Sequence, residues 1–244
     1  MIRLIICTLL LTTTIGHANK FSIDEKKEIE GIIRDYLLSH PEILEEAVTI
    51  IQDRQFAQEK EKAIKIVIKQ APQIFVSKSP VLGNHDGSIL IVEFLDYNCP
   101  HCRNMHTTIN QLIKDNPDLK VIIKEFPVLG EDSVFAAKAA LAADRQGKFA
   151  EMHHALMSEK TLLKNSRVLE IARDVGLNMA TLQKDMEASD IELQGVKAIA
   201  SDMNIKATPA LIISQYPIED NRKVIYIPGA VDKSILQNAI NYQK

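Results

Sequence analysis

The sequence predicts an α/β fold in which a strand–helix–strand unit and a strand–strand–helix unit are separated by a helical insertion and preceded by an N-terminal helical segment. Residues 88–97 and 119–129 are near-continuous apolar runs, which are typical of buried central strands. Residues 131–204 carry helical periodicity throughout. Two shorter apolar runs, 210–214 and 223–227, then predict a strand pair before a last helix.

Composition and charge exclude several classes of protein. The chain has 244 residues, of which 46% are hydrophobic and 25% charged, as in ordinary globular proteins. The net charge is −3 and the pI about 6.2, so the chain lacks the excess of positive charge that is typical of nucleic-acid-binding proteins. We therefore expect no nucleic-acid partner.

Residues 1–18 have the pattern of a cleaved signal peptide. Arg3 precedes an apolar run, and small residues at Gly16 and Ala18 precede the expected cleavage site. The apolar run is shorter than the roughly 20 residues that a membrane span requires. We expect export to the periplasm, either as a soluble protein or in association with the envelope.

Cleavage after Ala18 would remove Cys7 and leave Cys99 and Cys102 as the cysteines of the mature chain. Because an exported protein meets an oxidising compartment, two such thiols must either pair with each other or bind a metal.

Residues 19–72 are predicted to form amphipathic helices. Ser22 with Glu25 and Ser39 with Glu42 fit the capping-box pattern, and Pro41 suits the first turn of a second helix. The apolar stripes of these helices could pack on the chain's own catalytic domain. Since the second helix continues into a long charged stretch that resembles a spacer, we favour self-association through residues 22–72.

The motif CPHC, residues 99–102, directly follows the first predicted strand. Pro100 suits the first turn of a helix, which places Cys99 at the helix N-terminus. Unpaired backbone N–H groups and the helix dipole favour an anion there, so we expect Cys99 to be the nucleophilic thiolate and Cys102 the resolving thiol. A βαβ–ββα core with a C-x-x-C motif at this point is the thioredoxin-like arrangement, so the sequence predicts a thioredoxin-like fold with a helical insertion.

Two nearby side chains are predicted to affect the redox potential and the protonation of this cysteine pair. His101 would place a hydrogen-bond donor beside the Cys99 sulfur, which favours the reduced form and makes the disulfide more oxidising. Glu93 lies in the middle of the apolar strand, where a buried carboxyl has a raised pKa suited to accepting the Cys102 proton. A solvent-exposed side chain is the alternative for both residues.

The segment Thr208-Pro209 stands at the start of the predicted strand 210–214. A proline is tolerated at the first residue of a strand because its missing N–H is not needed there. A cis bond between these two residues would let the neighbouring backbone groups pair with an extended peptide. A trans proline in a loop is the alternative.

Three segments, LIVEFLDYNCPHC, PVLGEDSVFAAKAALAA and ATPALII, occur in an order that resembles the DsbA-like thiol:disulfide oxidoreductases across residues 75–244. The preceding YLLSHPEILEEAV is similar to the N-terminal helical region of ScsC-type and Com-type exported proteins, in which it serves oligomerisation. By this resemblance, Cys99 and Cys102 are the redox-active disulfide, Thr208 and Pro209 the cis-proline loop, and Glu93 the buried acid.

The resemblance also implies partners. These are reduced or unfolded exported proteins, a membrane redox partner that reoxidises or reduces the CPHC motif, and further copies of the chain. We expect no cofactor and no bound metal.

Two other functions compete with disulfide formation. An oligomer that presents several reduced motifs across a cleft could isomerise or reduce disulfides instead. A soft-metal carrier, for example for copper, is the alternative from another class, because five residues that such ions accept lie close together: Cys99, His101, Cys102, Met105 and His106. His153 and His154 are adjacent on a predicted helix, point about 100° apart and are expected to lie on its surface.

Overall fold

A computed structural model describes residues 21–76 and 78–244. The predicted signal peptide and Cys7 lie outside these residues. The described residues divide into two compact units, one that ends at Arg54 and one that spans Gln55–Lys244.

The N-terminal unit consists of helix α1, Ile23–Ser39, and the first part of helix α2, Pro41–Lys69. Ser22 caps α1 with the predicted capping box, in which its hydroxyl and the Glu25 carboxylate each accept the other residue's backbone N–H. The prediction for Ser39 is wrong. Ser39 is the last residue of α1, and its hydroxyl donates to the Asp35 carbonyl at 2.7 Å instead of capping α2.

The apolar side chains of this unit are not buried. Helix α1 contains no buried residue, and in α2 only Ala63 and Val67, which belong to the second unit, are buried. Six apolar side chains of the stripes predicted from the sequence are between 49% and 63% exposed: Ile32, Ile33, Tyr36, Leu44, Val48 and Ile51.

The second unit is built on a five-stranded mixed sheet in the order β1-β3-β2-β4-β5. Only β2 and β3 are parallel, while the other three pairs are antiparallel. The strands are β1 Val81–Gly83, β2 Ile89–Leu95, β3 Leu119–Glu125, β4 Ala210–Gln215 and β5 Ile225–Pro228.

Helices connect and cover these strands as predicted. Helix α4, Pro100–Asp115, crosses from β2 to β3, and α10, Lys233–Gln243, follows β5. The predicted helical insertion contains α5 Glu131–Arg145, α6 Phe149–Ser158, α7 Asn165–Asp174, α8 Met179–Glu187 and α9 Asp190–Asp202. A short helix α3, Ala71–Phe75, precedes β1, and a 3₁₀ turn, Asn221–Lys223, precedes β5.

Successive side chains of a strand point to opposite faces of the sheet, so each face has its own hydrophobic core. Odd-numbered residues of β2 such as Ile91 and Leu95 pack with apolar residues of α4, α5 and α6. Even-numbered residues such as Val92 pack with α9 and with Ala63 and Val67 near the end of α2. The last turns of α2 are therefore part of this core, and the unit begins within α2 rather than near residue 75, where the sequence pattern changes.

No helix within the described ranges is both long enough and apolar enough to cross a membrane.

Candidate active site

The CPHC motif lies at the start of α4, directly after the loop that follows β2. Cys99 is the N-cap residue, with φ −82° and ψ 118°, and Pro100 is the first residue of the helix. Proline is favoured there because its missing N–H would have no partner within the helix and its φ already suits the first turn. The Cys99 sulfur therefore lies beside the electropositive end of a 16-residue helix.

The Cys99 sulfur faces the segment that precedes β4. Its Sγ donates to the carbonyl oxygen of Thr208 at 3.2 Å. The Thr208–Pro209 peptide bond is cis. The structure thus brings together the two predicted parts of the site, which are far apart in the sequence.

Cys102 lies one turn deeper in α4, where it is 0% exposed against 5% for Cys99, and the structure shows the two cysteines as free thiols. Burial raises the pKa of the Cys102 thiol well above its ordinary value, and the charge of Glu93 raises it further. The Thr208 hydroxyl and a backbone group of Asp96 act in the opposite direction. This thiol therefore stays protonated unless a base accepts its proton.

Glu93, in the middle of β2, is 2% exposed. Burial raises the pKa of its carboxyl to about 8. Its Oε1 atom is buried and has no hydrogen-bond partner within the described part of the chain. At neutral pH this side chain is a protonated acid that can exchange a proton close to Cys102.

The structure places His101 on the exposed side of α4. Arg103, one helical turn after Cys99, is a residue near the motif that the sequence did not reveal. Its Nε atom donates to the Tyr97 carbonyl at 2.8 Å and its Nη2 atom to Asn98 Oδ1 at 3.2 Å. Burial lowers the pKa of Arg103, while negative charges on Glu159, Asp96 and Cys99 oppose that shift. A cation one helical turn after Cys99 was the signal that could have identified it.

Asp96 is a second residue that the sequence analysis missed. Its Oδ1 atom accepts the Asn98 amide at 2.8 Å, and its Oδ2 atom accepts the amides of Val128 and Leu129 at 2.8 and 3.0 Å. One carboxylate thus connects the loop before Cys99 to the loop after β3. An acidic residue at the end of a buried strand, followed by the motif, was the signal available in the sequence.

The helical insertion holds the same loop from another side. Leu163, between α6 and α7, donates its amide to Asn98 Oδ1 at 2.8 Å and accepts from Asn98 Nδ2 at 3.3 Å. The position of the loop before Cys99 is therefore fixed by both the sheet and the insertion.

A buried polar cluster lies behind the motif. The Tyr97 hydroxyl donates to Glu125 Oε1 at 2.8 Å and lies 2.9 Å from His153 Nδ1. The expectation that both adjacent histidines lie on the surface is wrong for His153, which is 2% exposed, whereas His154 is exposed. Helix α6 is covered on the side that carries His153, where the tyrosine hydroxyl supplies a partner for the buried ring.

The candidate metal ligands of the sequence do not converge. Met105 is 2% exposed within the apolar core, whereas His101 is exposed. Within the described residues, no group of three or more histidine, cysteine or acidic side chains has the arrangement to hold a metal ion.

Comparisons with known families agree with this geometry. The family described as "Thioredoxin" matches residues 76–233, and the family described as "Copper resistance protein ScsC N-terminal domain" matches residues 25–58. Curated relatives include the Na(+)/H(+) antiporter NhaA 3 of Salinispora tropica, 24% identical over 142 residues, which are 55% of this chain and 21% of that protein. The chain therefore spans about a fifth of the length of such relatives.

Three solved structures are similar over most of their own length. A thioredoxin-like oxidoreductase from Silicibacter pomeroyi DSS-3 is 38% identical, with 70% of this chain and 95% of that chain covered and a TM-score of 0.64. The thiol-disulfide exchange protein alpha-DsbA2 from Wolbachia pipientis is 27% identical, with 77% and 98% covered and a TM-score of 0.67. Proteus mirabilis ScsC in a transitional conformation is 30% identical, with 91% and 96% covered and a TM-score of 0.65.

The thioredoxin match covers more than half of the chain, and the ScsC match covers the helices before it. The chain belongs to the thioredoxin family, in its DsbA-like group with an ScsC-type N-terminal region.

Proposed function

We propose that this protein is a thiol:disulfide oxidoreductase that forms disulfide bonds in exported proteins through Cys99 and Cys102. The observation that carries the proposal is the position of the Cys99 sulfur, at a helix N-terminus and 3.2 Å from the Thr208 carbonyl. The helix end favours the thiolate, which is the leaving group of the last step, and the backbone beside it can pair with an extended client peptide.

The chemistry starts from the Cys99–Cys102 disulfide. A client thiolate attacks Cys99 Sγ, the S–S bond breaks, and Cys102 leaves with the electron pair. Cys102 then takes the carboxyl proton of Glu93, whose pKa of about 8 keeps it protonated at neutral pH. The client's second thiolate attacks the client sulfur of the mixed disulfide and releases Cys99 as a thiolate. The client is oxidised, and the protein is left as a dithiol.

Renewed activity requires an oxidant for this dithiol. We assign that role to a membrane redox partner, which accepts the two electrons. The leader pattern of residues 1–18 supports export to the periplasm, where both the clients and such a partner would be encountered.

Disulfide isomerisation is the second candidate, and the exposed apolar faces of the N-terminal unit favour it. Side chains such as Ile32 and Tyr36, 63% and 55% exposed, fit contacts between copies of the chain. An oligomer would place several CPHC motifs around one client, where a reduced Cys99 could attack incorrect disulfides.

The test mixes the disulfide form of the full chain with a peptide that carries two cysteines and follows the peptide's oxidation by mass spectrometry. We expect one peptide disulfide per protein, and none with the Cys99→Ser variant. Scrambled ribonuclease provides the parallel test of isomerisation with the reduced protein. A wild-type disulfide form that leaves the peptide reduced would rule out the proposed oxidation.

A further inference from the structure

A hydrogen-bonded triad lies beneath the CPHC motif and is not used in the chemistry above. It consists of Tyr97, Glu125 at the end of β3 and His153 on α6, all no more than 2% exposed. The Tyr97 hydroxyl joins the other two side chains, at 2.8 Å from Glu125 Oε1 and 2.9 Å from His153 Nδ1. A phenol can donate one hydrogen bond while accepting another, so the three side chains form a continuous chain.

The inner end of the triad lies next to Glu93. In the register of β2 and β3, Glu93 is opposite Ile123 and Leu95 is opposite Glu125, so the two acids are diagonal neighbours on one face of the sheet. Each has one buried carboxyl oxygen without a hydrogen-bond partner within the described residues, Glu93 Oε1 and Glu125 Oε2. The charge of Glu93 contributes to raising the pKa of both Tyr97 and Glu125, which agrees with this proximity.

The outer end of the triad leads toward solvent. The His153 ring lies 5.0 Å from the His106 ring, measured between centroids; this is a ring contact and not a hydrogen bond, and His106 Nδ1 is buried without a hydrogen-bond partner within the described residues, so a proton passes between the two rings through a water at that nitrogen. His106 Nε2 in turn lies 3.1 Å from Nδ1 of His154, which is exposed. Both His106 and His154 line an open groove of about 740 Å³ beside α4.

All three members of the triad are held in their neutral forms. Burial raises the pKa of Glu125 and of Tyr97 well above their ordinary values and lowers the pKa of His153 to about 3. The titratable groups that face the triad are Glu93 on β2, Asp96 in the following loop, His106 on α4 and His154 on α6. A neutral carboxyl, phenol and imidazole can each donate and accept a proton.

We propose that Glu125, Tyr97 and His153 form a proton-transfer chain that exchanges protons between Glu93 and the groove beside α4. This inference rests on the proposed function, because it supplies the proton that Glu93 gives to Cys102. Glu93 Oε1 and Glu125 Oε2 have no hydrogen bond to each other, so Glu125 passes its carboxyl proton to Glu93 through one water that bridges these oxygens. Tyr97 then passes its hydroxyl proton to Glu125, and His153 passes its Nδ1 proton to Tyr97. His153 is reprotonated from solvent through His154 and His106. One proton moves inward, and no electrons move.

Burial of Glu93 makes such a chain useful. A carboxyl that is 2% exposed cannot take a proton directly from bulk water, yet each catalytic cycle removes one proton from it and returns one. These three side chains are positioning residues, since none of them touches the sulfur atoms.

The test measures proton exchange at Glu93 directly. The carboxyl band of Glu93 is followed by infrared absorption after a rapid pH jump from 6 to 9 in the full chain. We expect Glu125→Gln and Tyr97→Phe to slow deprotonation of Glu93 by about 100-fold or more, the scale of general acid–base effects. The matched control is Asp144→Asn, which removes a carboxyl with a raised pKa on α5 and should leave the rate unchanged.

A second readout separates proton transfer from a merely structural role. In Tyr97→Phe, the midpoint of the Glu93 titration should stay at the wild-type value, about 8, although its approach to equilibrium is slower. The first oxidation of a dithiol peptide should also keep the wild-type rate, because it uses the proton already held by Glu93. A shifted midpoint together with a slower first oxidation would indicate a structural role and overturn the inference.

Wild-type exchange rates in both variants would overturn it as well. His153→Gln provides a third variant if either of the others fails to fold, as judged by thermal unfolding. If the wild-type protein does not oxidise the peptide at all, the proposed function fails, while the pH-jump rates still decide whether the proton-transfer chain exists.

Discussion

The sulfur of Cys99 lies 3.2 Å from the carbonyl oxygen of Thr208, although 109 positions separate the two residues in the sequence. The contact joins the N-terminus of α4 to the segment before β4, and it places a backbone acceptor directly beside the sulfur that we propose as the nucleophile. Cys99 is 5% exposed, whereas Cys102 lies beneath this contact and is 0% exposed, so Cys99 is the more accessible of the two sulfurs.

The first prediction concerns the order in which the two sulfurs react. The Cys102→Ser variant should form a stable mixed disulfide between Cys99 and a client thiol, because the thiol that would resolve it is gone. Cys99→Ser should form none, since Cys102 is 0% exposed and burial raises the pKa of its thiol. Mass spectrometry of each variant with a peptide disulfide checks this, and a peptide trapped on Cys102 would contradict the assignment.

The second prediction concerns Glu93 and stability. Its pKa is about 8 in the folded chain against an ordinary value of 4.5, so between these pH values the unfolded state loses a proton that the folded state keeps. Stability should therefore fall as the pH rises through this window, by up to roughly 5 kcal/mol once Glu93 is fully ionised. Glu93→Gln should remove this loss.

Urea denaturation of wild type and Glu93→Gln at pH 5 and pH 9 measures the difference. The variant should gain stability relative to wild type as the pH rises. The control is Asp118→Asn, which removes an exposed carboxyl whose pKa is lowered by hydrogen bonds to Ser88 and should show no gain above pH 5. Parallel curves for wild type and Glu93→Gln would show that this carboxyl is not held protonated.

Apolar patterning and the CPHC motif were sufficient to predict the central strands, the helical insertion and the two segments, CPHC and Thr208-Pro209, that the structure brings together. A short apolar run such as 88–97, bounded by turn residues, indicates a buried strand, and a proline after Cys99 marks a helix start. Arg103, Asp96, Glu125 and His153 were missed because a charged or polar residue in a sequence is usually assigned to the surface. Their burial depends on partners from distant elements, which local patterns do not identify.

The third prediction concerns Asp96 as the link between two loops. Asp96→Asn should weaken the hydrogen bonds to the amides of Asn98, Val128 and Leu129, since a neutral amide accepts less strongly than a carboxylate and its NH₂ group cannot accept. We expect a loss of about 2 kcal/mol in the free energy of unfolding. Hydrogen exchange should rise at Val128 and Leu129 more than at amides of β3.

The control for this experiment is Asp86→Asn, which changes an exposed acid in the turn before β2. Unchanged exchange at Val128 and Leu129 in Asp96→Asn would show that other contacts hold the loop.

The fourth prediction concerns acid sensitivity. Burial lowers the pKa of His153 from 6.5 to about 3, so below pH 6.5 the unfolded state gains a proton that the folded state does not. Stability should fall as the pH drops from 6.5 towards 3, with a slope of roughly 1.4 kcal/mol per pH unit from this residue. His153→Gln should flatten the curve in this range, whereas His85→Gln, on an exposed turn, should not. Thermal unfolding between pH 4 and 7 measures both slopes.

The last prediction concerns self-association through the N-terminal unit. Ile33 and Val48 are 52% and 51% exposed, so replacing both with lysine costs the isolated chain little. If these side chains are buried between copies, each loses roughly 1.5–3 kcal/mol of apolar burial, and lysine adds an unpaired charge. The double variant should therefore be monomeric at concentrations where wild type is not, as measured by sedimentation. Ile191→Lys changes an 80% exposed apolar residue on α9 and should leave the mass unchanged.

Because Cys99 and Thr208 lie in the other unit, the double variant should still oxidise a peptide dithiol but lose isomerisation. A double variant with the wild-type mass would contradict the role assigned to these helices.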